Sequence, residues 1–335
     1  MDRPPPFEAL PADARSLRPR AVRDGLIISG WLATLFIFLV VIPAGHSFGY
    51  DAFSYWSIDF DDLYGRAMSS NFALGAFRYA PPIAFLFAPL QLVPWWLFLW
   101  LWTAAGLAIV VWLGGRWSLV LLALPPVALE LYHGNVHLLM AGAIALGFRF
   151  PALWAFVILT KLSPGVGVLW FAFRREWRKL GWAIGATLAV SGLSYAVAPH
   201  YWAEFVDSIL SNLSEPQSFS VPPPAPIRIP LAIVLLAWGA KTDRPWTVPV
   251  AATLALPIIW PHGLSVAIAA IPFLRRGDRA AQTPGWERAA DLRTLAICMS
   301  LIVGGALLLA LLPGDLVKTL VEEGSSNIIA VFGST

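Results

Sequence analysis

The chain has 335 residues, 58% of them hydrophobic and 13% charged, with a net charge of +3. An ordinary soluble domain carries about 25% charged residues, so this composition leaves too much apolar surface for one water-facing core. The basic residues sit in short joints between apolar runs, a pattern that speaks for membrane orientation and against a nucleic-acid partner, and the lone Cys298 excludes a disulfide framework or a thiolate metal site.

The apolar runs are continuous, as in Leu26 to Pro43 and Thr294 to Leu312, where barrel strands would alternate. A hydrocarbon layer about 30 Å thick takes about 20 apolar residues per helix. The fold class expected is therefore all-α, a polytopic transmembrane helical bundle of about 9–12 spans.

In chain order, residues 1–24 hold Pro4 to Pro6 and arginines at 3, 15, 18, 20 and 23, and read as a disordered basic tail on the cytoplasmic side. Residues 25–313 read as a single transmembrane domain. Its first run lacks a persuasive small-residue cleavage site, so it reads as a retained anchor. It leads to an outer loop, 44–80, with Asp51, Asp59, Asp61, Asp62, Arg66 and Arg78.

From Pro81 to Phe173 the chain is almost continuously apolar, with breaks at Pro94, at Gly114 to Arg116, at His133 to Asn135 and at Arg149 to Pro151. Five passages fit there, which sets His133 to His137 on the inner side and Lys161 near mid-membrane. Arg174, Arg175, Arg178 and Lys179 then fall in the cytoplasm. A passage over 181–198 leads to a second outer loop, 199–228, where Pro222 to Pro224 and Pro226 argue against a regular helix. Later passages put His262 outside and Arg275, Arg276 and Arg279 inside, and a last span, 294–312, leaves a C-terminal tail, 314–335, outside.

Charged groups at a membrane are expensive and are functional candidates. Asp51 lies in Gly49-Tyr50-Asp51-Ala52-Phe53-Ser54-Tyr55-Trp56, among aromatics suited to the interface, where a carboxylate can take a proton from a substrate hydroxyl. His133, Asn135 and His137 lack a second carboxylate or cysteine at ligand spacing apart from Glu130, so no metal and no cofactor is expected.

Asp51 with Tyr55, then Leu63-Tyr64, Gly75-Ala76-Phe77-Arg78-Tyr79-Ala80-Pro81-Pro82 and Ala88-Pro89-Leu90, stand in an order that resembles glycosyltransferase family 87. Gly134-Asn135-Val136-His137, Leu159-Thr160-Lys161-Leu162-Ser163-Pro164 and Trp260-Pro261-His262 are similar to later elements of that family, with Ile259 where a serine is usual. The resemblance covers residues 26–275. It implies a membrane enzyme of the GT-C type that moves a sugar, a hexose such as mannose or else arabinofuranose, from a polyprenyl-phosphate donor to a glycolipid or glycan acceptor on the outer face of the cell membrane.

Carried over residue by residue, the resemblance makes Asp51 the general base. It makes His262, Arg78, Tyr79, Lys161, Tyr55 and Asn135 contacts to substrate or lipid phosphate. Two alternatives stand beside it: a transporter or flippase for a lipid-linked intermediate, and an inactive relative acting as a membrane scaffold.

Overall fold

The computed structural model describes residues 47–69, 73–213 and 224–276, with a few residues between 25 and 35. The expected tail 1–24, most of the first span, the last span and the tail 314–335 lie outside the described residues. Among the described residues every regular element is a helix.

The elements that frame the site are α1 (Tyr50–Trp56), α2 (Pro81–Phe87), α3 (Trp95–Gly114), α4 (Pro125–His133), α5 (His137–Gly147), α6 (Trp154–Thr160), α7 (Trp177–Val197), α8 (Pro199–Leu213), α9 (Ala225–Lys241) and α10 (Thr247–Leu254), followed by a 3-10 segment, Pro261–Ala270. Among the described residues two stretches are long and apolar enough to cross a membrane: Trp95–Leu122, 28 residues, and Trp177–Val197, 21 residues.

Where five passages are expected between 81 and 173, one helix, α3, reaches spanning length among the described residues. The break expected at Gly114 to Arg116 forms: Gly115, at φ 53° and ψ −126°, ends α3, and a 3-10 turn, Gly115–Trp117, leads into a separate short helix, Ser118–Leu122. The other apolar helical stretches of this region, Pro81–Leu92, His137–Gly147, Pro151–Thr160 and Ser163–Phe173, are shorter than 18 residues. A helix rises about 1.5 Å per residue, so these pieces fall short of a full crossing. They pack on one another instead. Trp154, fully buried, fills the space between Gly147 and Gly167, where any side chain would collide with its ring.

The segment 199–228 also departs from expectation, because α8 is regular helix over Pro199–Leu213. The prolines do not break α9 either: Pro224 caps it and Pro226 sits in its first turn, where a missing N–H costs no intrahelical bond.

Candidate functional site

Asp51 is placed by a backbone lock at the start of α1. Gly49 takes φ 73°, a conformation suited to glycine, and its N–H donates to the Tyr132 carbonyl at 2.9 Å. The next turn of chain then sets Asp51 against the corner between α4 and α5. That corner closes at Gly134, φ 67°, in the left-handed C-cap position. A Cβ there would stand 2.7 Å from Ala52 Cβ, so the corner touches α1 directly. Trp102 Nε1 donates to the Gly134 carbonyl at 2.7 Å and holds it from the α3 side.

Beyond the corner, α5 starts with Val136 at its N-cap, which offers no capping side chain. Glu130, on the last turn of α4, supplies the cap. Its Oε1 accepts the backbone N–H of His137 at 2.7 Å and of Leu138 at 3.3 Å, donors that a helix start leaves unpaired. Its Oε2 takes the Nδ1–H of His137 at 2.9 Å. His137 therefore presents Nε2 as an acceptor. That atom is buried without a hydrogen-bond partner among the described residues, as is Nε2 of His262.

His262 enters from the far end of the chain, in the first turn of Pro261–Ala270. Its Nε2 is 3.7 Å from Asp51 Oδ2, within electrostatic contact though too long for a hydrogen bond. Its ring lies 5.4 Å from those of His133 and His137 and is parallel, within 6°, to Trp260. The approach to His262 is held by Arg228 of α9. This buried guanidinium donates to the carbonyls of Leu254, Leu256 and Pro257 at 2.7, 2.7 and 3.1 Å.

A tyrosine–amide network backs Asp51. Asn135 hydrogen-bonds Asp51, and its Oδ1 accepts the Val136 N–H at 2.7 Å and the Tyr55 hydroxyl at 3.4 Å. Tyr55 and Tyr79 share a hydrogen bond of 2.8 Å, and Tyr64 donates to the Tyr79 carbonyl at 2.7 Å. Lys161 ends α6 in extended backbone, φ −147° and ψ 113°, close enough for its charge to act on Asp51, Glu130, His137 and His262. It is therefore at a helix break facing the site and not within an unbroken span. Arg78 stands farther out, beside Tyr50 and Tyr79, with Nη1 3.4 Å from the Ala67 carbonyl.

Burial pushes the Asp51 carboxyl above its usual range, and the Asn135 hydrogen bond and His133 pull it partly back. The side chain keeps 24% exposure, so a substrate hydroxyl has access to it.

Passages counted along the sequence put Asp51 and His262 on one side and His133 to His137 on the other. The structure corrects this, because Asn135, His133, His137, Asp51 and His262 meet in one cluster. Glu130 and Arg228 went unrecognised as parts of the site. An acidic residue in the last turn of a helix just before a left-handed glycine is the one local signal that points to Glu130, since such a residue can reach the next helix start. Arg228 gives no such signal.

The donor atoms of Glu130, His137 and His262 lie within 4.8 Å of one another, a residue set of the type that holds a divalent ion. Here both Glu130 oxygens already accept three N–H groups, and the Lys161 ammonium adds positive charge to the same space. The set fits a hydrogen-bonding frame better than a cation site.

The family model described as glycosyltransferase family 87 matches residues 77–286, more than half of the chain. That range takes in Arg78, Tyr79, Asn135, Lys161 and His262 and begins after Asp51 and Tyr55. No curated protein and no solved structure matches the chain.

Proposed function

The chain belongs to glycosyltransferase family 87, and from that membership we propose that it transfers a sugar from a polyprenyl-phosphate donor to a glycolipid or glycan acceptor at the outer face of a membrane, with Asp51 as general base. The observation that carries the reading is the approach of His262 Nε2 to Asp51 Oδ2 at 3.7 Å, inside a cluster built from five separated stretches of chain.

In this reaction the acceptor oxygen attacks the anomeric carbon from the face opposite the phosphate, and its proton passes to an Asp51 oxygen. The bond between the anomeric carbon and the phosphate oxygen breaks, and polyprenyl phosphate leaves with the electron pair. Lys161 is the cation placed to offset the charge that develops on that phosphate. His262 holds the carboxylate and the entering hydroxyl in register. Asn135 and the Tyr55–Tyr79 pair keep Asp51 in one rotamer from behind. Mannose, another hexose or arabinofuranose is the transferred group that the family membership supports.

Membranes containing the protein, supplied with radiolabelled polyprenyl-phosphate sugars, test this directly. Label should enter a lipid or glycan product with the native chain and not with Asp51→Asn at equal levels of folded protein. Equal incorporation by both removes Asp51 from the role of base, and no incorporation from any donor favours the inactive-scaffold alternative.

A further inference from the structure

Three sides of α8 differ in what they meet. At about 100° per residue, Val206, Ile209 and Leu210 share one arc, and His200, Asp207 and Ser211 share another about 120° round the helix. Val206, Ile209 and Leu210 are 50%, 43% and 59% exposed, while His200, Asp207 and Ser211 face outward on the polar side. The third side packs on the protein. Ser208 is buried, Phe205 contacts the Tyr64 ring at 5.7 Å, and the Tyr201 hydroxyl donates to the Phe60 carbonyl at 2.6 Å.

The apolar arc does not stand alone. α8 follows directly on α7, a helix of spanning length whose Leu188, Leu193 and Val197 are 65%, 70% and 70% exposed. A mainly apolar cleft lined by Phe60, Phe85, Pro89, Leu92, His200 and Tyr201 opens at the junction of α7 and α8. Trp202, whose Nε1 donates to Ser194 Oγ at 3.3 Å, and Tyr201 mark the junction with amphipathic rings, as at a membrane–water boundary.

We propose that α8 lies in the plane of the membrane–water interface, with Val206, Ile209 and Leu210 set among bilayer lipid chains and Asp207 and Ser211 in water. The outward polar face carries Asp207 and no lysine or arginine, so the helix is held by apolar burial and not by anionic headgroups. The same placement sets the height of the site. Through Phe60 and Tyr64, the segment that bears Asp51 is fixed to α8, which brings the carboxylate to headgroup depth. The inference does not rest on the glycosyl-transfer reading, and its test needs no substrate.

The test uses the full chain with Cys298→Ser and one new cysteine at a time: Val206→Cys, Leu210→Cys, Asp207→Cys or Ser211→Cys. Each carries a small fluorescent label in phosphatidylcholine vesicles, and retained folding is checked by circular dichroism and gel filtration. Lipids brominated near the carbonyl end should quench labels at 206 and 210 about threefold more than those at 207 and 211, and aqueous iodide should show the reverse order. Addition of phosphatidylglycerol should leave that pattern unchanged. Equal iodide quenching at all four positions overturns the proposal in favour of a helix in water. Strongest quenching by bromines near the chain ends overturns it in favour of a membrane crossing.

Discussion

Glu130 grips His137 twice across the corner between α4 and α5, accepting its backbone N–H at 2.7 Å and its ring Nδ1–H at 2.9 Å. One carboxylate thus starts a helix and fixes which nitrogen of an imidazole faces the site. Loss of the carboxylate would leave buried N–H donors unpaired, at about 1–3 kcal/mol each. Glu130→Leu should therefore lower the thermal unfolding midpoint in detergent sharply. Glu130→Gln should lower it less, because the amide oxygen still accepts an N–H.

In the proposed reaction Asp51→Asn preserves shape and removes the base, so transfer should fall by about 10²-fold or more with unfolding unchanged. Its pH profile follows from the site. Burial raises the Asp51 carboxyl while Asn135, His133 and Lys161 lower it and Glu130 raises it. A base acts when deprotonated, so activity should decline as pH falls through that raised value. The acid limb should therefore lie above the range of an ordinary carboxylate. A limb at the ordinary carboxylate value would separate Asp51 from the rate.

Lys161 is the test of leaving-group stabilisation. Lys161→Met should reduce turnover by about 10²- to 10³-fold, the size of effect seen when a preorganised donor to a developing anion is lost. Lys161→Arg should recover part of it, and single-turnover measurement of sugar transfer distinguishes this from weaker donor binding.

Gly134 combines a left-handed φ of 67° with a Cβ position 2.7 Å from Ala52. Gly134→Ala should destabilise by about 1–2 kcal/mol from the backbone alone, with a further cost from the collision. Ala52→Gly in the same chain should relieve the collision and leave the backbone cost, which a double-mutant cycle on unfolding midpoints will separate.

Arg228 ties down the backbone that leads from α10 to His262. Arg228→Met leaves the carbonyls of Leu254, Leu256 and Pro257 without this donor. It should lower both stability and turnover, and Arg228→Lys should rescue poorly, because an ammonium lacks the planar fork that spans three carbonyls. A fall in turnover matched by that of His262→Ala, with no added loss in the double variant, would mark Arg228 as a positioning residue for His262.

Several of these relationships were legible in the amino-acid order. The apolar runs required a helical chain, since backbone polar groups in an apolar surround must be paired within their own segment. Asp51, Tyr55, Tyr79, Asn135, Lys161 and His262 stood out by charge, by aromatic setting and by the order of their motifs, and the structure gathers them. Arg78 stood out equally and lies at the margin, beside Tyr50 and Tyr79.

What the sequence by itself determined is composition-level: the helical class, the excess of apolar surface, and a set of polar residues too costly to bury without a role. Which of them meet was decided by tertiary structure. Counting sides along the chain treats every apolar run as a crossing, yet an apolar run only has to leave water, and helical stretches shorter than 18 residues leave it by packing on one another. One such run is enough to invert every later assignment, which is how Asn135 and His137 came to be expected across the membrane from Asp51. Glu130 and Arg228 were beyond local pattern for a related reason. Their partners are backbone groups of a chain reversal and of a distant turn, and those groups come within hydrogen-bond range only after the helices have packed.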